Sequence, residues 1–111
     1  MSESEIQANV RLLSRGNVRL FRFQCGHFEL KDGRRITVGV PGMSDLIGWK
    51  KTLIGPEHIG MELAVFVAIE CKSATGRPTE AQLGFIELVR EMGGLAGIAR
   101  STDDAQEIIG G

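Results

Sequence analysis

The chain has 111 residues, 42% of them hydrophobic and 24% charged, the balance of one globular domain rather than a disordered tail or a collagen-like repeat. The longest apolar run, Leu63 to Ile69, falls far short of a bilayer span. The acidic opening Ser2-Glu3-Ser4-Glu5 lacks the basic and apolar character of a secretory leader, so no membrane and a cytoplasmic setting are expected.

The net charge of −1 conceals an asymmetry: residues 1–51 hold nine Lys and Arg against five Asp and Glu, and residues 52–111 hold four against nine. A basic first half can present a face to nucleic acid, although scattered solvated charge gives the same counts. The two cysteines, Cys25 and Cys71, are too few for a disulfide framework and too far apart for a CxxC motif. Both are expected to be buried free thiols. His27 and His58 lack the spacing of a zinc site.

In chain order, Ser2 and Glu5 stand at capping-box spacing, Ile6, Val10 and Leu13 recur at helical intervals, and Gly16 supplies a stop. This predicts a helix from Glu3 to Arg15. Strand-like sequence runs from Val18 to Cys25 and from Phe28 to Leu30. Lys31-Asp32-Gly33-Arg34 then reads as a hairpin turn, and Ile36 to Val40 resumes the strand. A glycine-punctuated turn leads into a short strand at Leu46 to Trp49. Met61 to Cys71, apolar without alternation, reads as a central strand covered on both faces. Thr79 and Gln82 have capping-box spacing and open a helix from Glu80 to Met92, with Leu83, Ile86 and Val89 along one side and Gly93-Gly94 as its end. A strand at Leu95 to Ala99 and a helix at Thr102 to Ile109, capped by Ser101, complete the chain. The expectation is a single domain over residues 1–111, α/β in class, with a mixed central sheet flanked by helices in αβββαβα order. Residues 61–99 should form a parallel crossover.

The informative residues are Glu70-Cys71-Lys72 at the end of the apolar run. On a strand, Glu70 and Lys72 share one face while Cys71 points to the other. Emerging from an apolar run, a carboxylate and an ammonium need partners, and a strand-end ion pair without function is the plain alternative. Asp45 follows Gly42-Met43-Ser44 at the start of a short strand. If that strand pairs antiparallel with 61–71, Asp45 arrives beside Glu70; otherwise it is a turn aspartate. Two such carboxylates suit a hard cation, Mg²⁺ or Mn²⁺, with the Cys71 backbone carbonyl as a further ligand and Lys72 acting on the attacking water and the transition state.

Here the sequence resembles the PD-(D/E)xK nucleases, through Asp45, Glu70 and Lys72, and more specifically the small stand-alone VRR-NUC domains of phages and bacteria. The stretches that carry the likeness are Glu3-x-x-Ile6-Gln7, Phe21-Arg22 with Gly26, and Val38-Gly39-x-Pro41-Gly42-x-Ser44-Asp45-Leu46. Phe66-x-x-Ile69-Glu70-x-Lys72, Gly76-Arg77-Pro78-Thr79-x-x-Gln82, Met92-Gly93-Gly94 and Ala99-Arg100-Ser101-x-Asp103-Asp104 continue it nearly end to end. Ser44 stands where the signature often has proline, and Phe23-Gln24-Cys25 is less polar than in relatives.

The resemblance implies a restriction-endonuclease-like core and a structure-selective, Mg²⁺- or Mn²⁺-dependent DNA endonuclease that cuts four-way (Holliday) junctions as a homodimer. It makes Asp45, Glu70, Lys72 and Gln82 the catalytic residues. The metal ligands would be Asp45, Glu70, the Cys71 carbonyl and Glu3, which shares a helix face with Ile6 and Val10. Gln82 also completes a cap with Thr79, and Glu3 can equally be solvated near the terminus. Arg22, Arg34, Arg35, Lys50 and Lys51 are candidate phosphate contacts, or ordinary surface charge. Two other readings stay open: a nuclease preferring flaps or other branched DNA, and a non-catalytic DNA-binding or assembly module on the same fold.

Overall fold

The computed structural model describes residues 2–24 and 26–110, which gather into two compact units that divide between Lys50 and Lys51. The division falls one residue from the boundary between the basic and acidic portions of the sequence.

In the first unit, α1 spans Glu3–Arg11 and starts where Ser2 Oγ accepts the Glu5 N–H at 3.2 Å. It ends a turn earlier than the spacing predicts. The N–H groups of Leu12, Leu13 and Ser14 bond three residues back, tightening the chain before Gly16 turns it at φ +60°. Strand β1 (Val18–Arg22) pairs antiparallel with β4 (Leu46–Lys50), and β2 (Gly26–Glu29) with β3 (Arg35–Val38). The β2–β3 turn forms as Asp-Gly predicts: Gly33 has φ +87°, Asp32 Oδ1 accepts the Arg34 N–H, and Leu30 N–H donates to Arg34 O. Across β1–β4, Phe21 and Trp49 rings meet at 5.1 Å between centroids. Gly48 is required there, since a Cβ would lie 1.8 Å from the Arg19 carbonyl oxygen.

In the second unit, a 3₁₀ turn at Pro56–His58 precedes β5 (Val67–Cys71), α2 (Glu80–Glu91), β6 (Leu95–Ala99) and α3 (Thr102–Ile109). Strands β5 and β6 are parallel, joined through α2 as expected. The predicted strand over 61–71 is only five residues long, because its partner is short: Val67 pairs with Leu95, the first residue after the Gly93-Gly94 break. Met61, Leu63 and Val65, lacking a strand opposite, are exposed. Helix α2 lies on the face of the β5–β6 pair that carries Glu70, with Ile86 and Val89 buried. Helix α3 covers the other face, where a Cβ on Gly97 would meet Ile108 at 2.9 Å.

Two expectations of arrangement change. The described ladders are three two-stranded pairs rather than one mixed sheet, and five strands precede α2 where the expected order has three. Strand β4 takes β1 as its antiparallel partner rather than the 61–71 segment. Residues 61–66 carry no ladder, so that part of the 61–71 segment offers β4 no strand to pair with.

Candidate active site

Glu70 sits one residue from the end of β5, on the face that α2 covers. The alternation of the strand puts Lys72 on the same face, just past the last ladder bond, Lys72 N–H to Ala99 O at 3.0 Å. Both side chains are partly buried, Lys72 20% and Glu70 33% exposed, and Lys72 Nζ lies 3.6 Å from Glu70 Oε1. That separation is an ion pair rather than a formed hydrogen bond, so the ammonium protons remain available to another oxygen.

Gln82 reaches the same oxygen from α2: its Nε2 donates to Glu70 Oε1 at 2.9 Å. The other end of the amide is held by the helix cap. Thr79 N–H donates to Gln82 Oε1 at 2.9 Å, while Thr79 Oγ1 accepts the Gln82 N–H at 3.1 Å. Gln82 thus completes the cap and also bonds Glu70. The Thr79 N–H can only donate, which assigns the amide oxygen to the cap and turns the NH₂ toward the carboxylate. With Oε1 engaged by both Gln82 and Lys72, Glu70 Oε2 has no hydrogen-bond partner among the described residues. Glu70 lines a pocket of about 380 Å³ together with Ala68, Ile69, Ala81, Gln82, Phe85 and Ile86.

Cys71 points away from this face, and its side chain is exposed rather than buried. As the last residue of β5, its thiol lies beyond the cover that protects the middle of the strand. Cys25 lies outside the described residues. Arg100 is a contributor that sequence reasoning missed. From the end of β6 it donates through Nη1 to the carbonyls of Ser73 and Gly76, fastening the loop that follows Lys72. An arginine immediately after a short parallel strand was the available signal.

The remaining candidates, Lys51 apart, lie in the first unit. Asp45 is exposed, directly before β4, and its carbonyl accepts the Phe23 N–H at 2.9 Å. Glu3 is exposed in the first turn of α1. Arg22, Arg34, Arg35 and Lys50 are exposed, as is Lys51, the first residue of the second unit, and Arg34 Nε pairs with Asp32 Oδ2 at 2.6 Å across the hairpin turn.

A family model of the VRR-NUC domain matches residues 10–103. The chain belongs to the VRR-NUC domain family. The match takes in Asp45, Glu70, Cys71, Lys72, Gln82 and the five basic candidates, and leaves Glu3 outside it. VRR-NUC domains are associated with nuclease activity on DNA and imply a restriction-endonuclease-like fold. Searches of curated proteins and of solved structures give no match. No helix among the described residues is long and apolar enough to cross a membrane.

The donor set fits a hard divalent cation. Among the described residues no three or more His, Cys, Asp or Glu side chains gather into a metal cage, but Mg²⁺ is ordinarily bound by one or two carboxylates, with water and phosphate oxygens completing its shell. Glu70, held through one oxygen and open at the other, offers one such carboxylate.

Proposed function

We propose that this VRR-NUC domain is a divalent-metal-dependent DNA endonuclease of the PD-(D/E)xK type that cuts four-way junctions as a homodimer, the whole chain of 111 residues acting as one nuclease domain. The observation that carries the reading is the convergence of Lys72 and Gln82 on one oxygen of Glu70. A carboxylate oriented by an amide and accompanied by an unspent ammonium is what metal-assisted phosphodiester hydrolysis needs. That reaction depends on positioning and charge neutralisation more than on covalent catalysis.

In this reading Asp45, Glu70 and the Cys71 carbonyl would hold the cation, with Glu3 as a further ligand, and Mg²⁺ or Mn²⁺ there would supply Lewis acidity and a lowered pKa of water. Lys72 holds the attacking water by hydrogen bond and offsets the charge that grows on the phosphate oxygens. Gln82 keeps the Glu70 carboxylate in one rotamer, so that Oε2 is presented and Oε1 is not. Arg22, Arg34, Arg35, Lys50 and Lys51 contact the DNA backbone, which fixes register without reading sequence. Two protomers related by a twofold axis would present two such sites to opposed strands of a junction.

The test is a panel of labelled substrates, namely four-way junction, 5′ flap, splayed arm, plain duplex and single strand, cut in Mg²⁺ or Mn²⁺, with the oligomeric state measured by sedimentation. Paired nicks in the junction by a dimer support the reading in full. Cutting of flaps or ends keeps the chemistry and overturns the junction assignment. Binding without cleavage in either metal supports a non-catalytic module instead.

A further inference from the structure

The second unit has few cations, Lys51, Lys72, Arg77, Arg90 and Arg100, against nine acidic residues. Three of them, Lys72, Arg77 and Arg100, belong to the segments that leave the C-terminal ends of the parallel strands β5 and β6. Lys72 and Arg100 are in register there: Cys71 pairs with Ala99, and Lys72 N–H closes the ladder on Ala99 O. The acidic groups at this end are Glu70, Glu80, Asp103 and Asp104. Glu70 is engaged by Gln82 and Lys72, and Asp104 Oδ2 accepts the Arg100 backbone N–H at 2.8 Å.

Arg100 is exposed yet fixed in place. Its Nη1 is engaged by two carbonyls, Ser73 O and Gly76 O, in a loop whose own turn is closed by Gly76 N–H to Ser73 Oγ at 3.0 Å. Guanidinium carries five N–H donors, so the Nε–H and both Nη2–H groups remain, with no partner among the described residues. The edge formed by Nε and Nη2 is the one that grips two oxygens of a phosphate side by side. A side chain already immobilised by two carbonyls loses little further entropy when it binds.

We infer that Arg100 is a substrate-binding residue: its Nε/Nη2 edge takes a backbone phosphate of the DNA strand being cut, beside the one that Lys72 and Glu70 serve. This rests on the nuclease reading. The Ser73–Gly76 loop is then the support that aims the arginine, as well as the segment the arginine fastens.

The experiment is the salt dependence of junction binding, with Ca²⁺ replacing Mg²⁺ to suppress turnover, for the full chain and for Arg100→Gln and Arg100→Lys. Glutamine keeps an NH₂ for the loop carbonyls and removes the charge; lysine keeps the charge. One lost phosphate contact lowers the slope of log K against log salt by about 0.9, or roughly a 3.5-fold smaller loss of affinity between 50 and 200 mM salt. Arg100→Gln should show that smaller slope and, when turnover is restored with Mg²⁺, a raised KM, and Arg100→Lys should keep the slope of the unaltered chain. An unchanged slope in Arg100→Gln, with only the thermal midpoint lowered, would overturn the inference and leave Arg100 a loop fastener. If the unaltered chain binds no DNA, the nuclease reading itself fails, which is a separate and recognisable result.

Discussion

Gln82 gives the sharpest case of one side chain with two duties. Its oxygen completes the cap of α2 through Thr79, and its nitrogen restrains Glu70. The duties separate by substitution. Glutamate in place of Gln82 still accepts the Thr79 N–H, so helix stability should be nearly unchanged, but it has no N–H for Glu70 and adds a like charge. Gln82→Glu is therefore expected to lose about 10- to 100-fold in cleavage rate, with a weaker response to metal, and to lower its urea midpoint only by the repulsion between the two carboxylates. Equal losses of stability and activity would mean the amide serves only the cap. From sequence, the Thr79–Gln82 spacing points to the cap and the family likeness to a catalytic role, and neither shows that the amide bonds Glu70. That needs the rotation of the amide, which is set by the positions of Thr79 and Glu70 in space.

At the scale of elements, the legible features were those governed by local chemistry. The Asp32-Gly33 turn, the Thr79 and Ser101 caps, the short strand Leu95–Ala99 and the helix Thr102–Ile109 all form where turn and cap residues placed them. The strand expected over 61–71 forms only at Val67–Cys71 because apolar content reports burial tendency, whereas strand length is set by the partner, and β6 offers only five residues. The burial of Cys71 failed for a related reason: alternation gives a face, but not how far along the strand that face is covered. Packing within the second unit supplies a prediction of its own. Gly97 lies under Ile108, so Gly97→Ala overfills the contact between β6 and α3 and should cost about 1–3 kcal/mol in urea denaturation. Adding Ile108→Val should recover part of that loss, a coupling visible in a double-mutant cycle. Strict additivity of the two changes would contradict the contact.

At the scale of the molecule, the charge asymmetry read from the sequence follows the division into a basic unit of residues 1–50 and an acidic unit of 51–111. The acidic unit contains Glu70, Lys72 and Gln82, and its cations gather mainly where β5 and β6 end. Bulk attraction for DNA is thus expected of the first unit, and the cluster of Glu70, Lys72 and Gln82 lies in the second. The central role falls to Lys72, whose ammonium has Glu70, at 3.6 Å, as its ion-pair partner among the described residues. The deciding measurement is the single-turnover cleavage rate of a labelled four-way junction by the unaltered chain and by Lys72→Ala, each in Mg²⁺, in Mn²⁺ and in chelator. The account predicts cleavage by the unaltered chain in metal alone and a loss of about 10²- to 10³-fold or more in Lys72→Ala, with its fold and DNA binding retained. Cleavage that persists in chelator, or a Lys72→Ala chain that cuts as fast as the original, would contradict it.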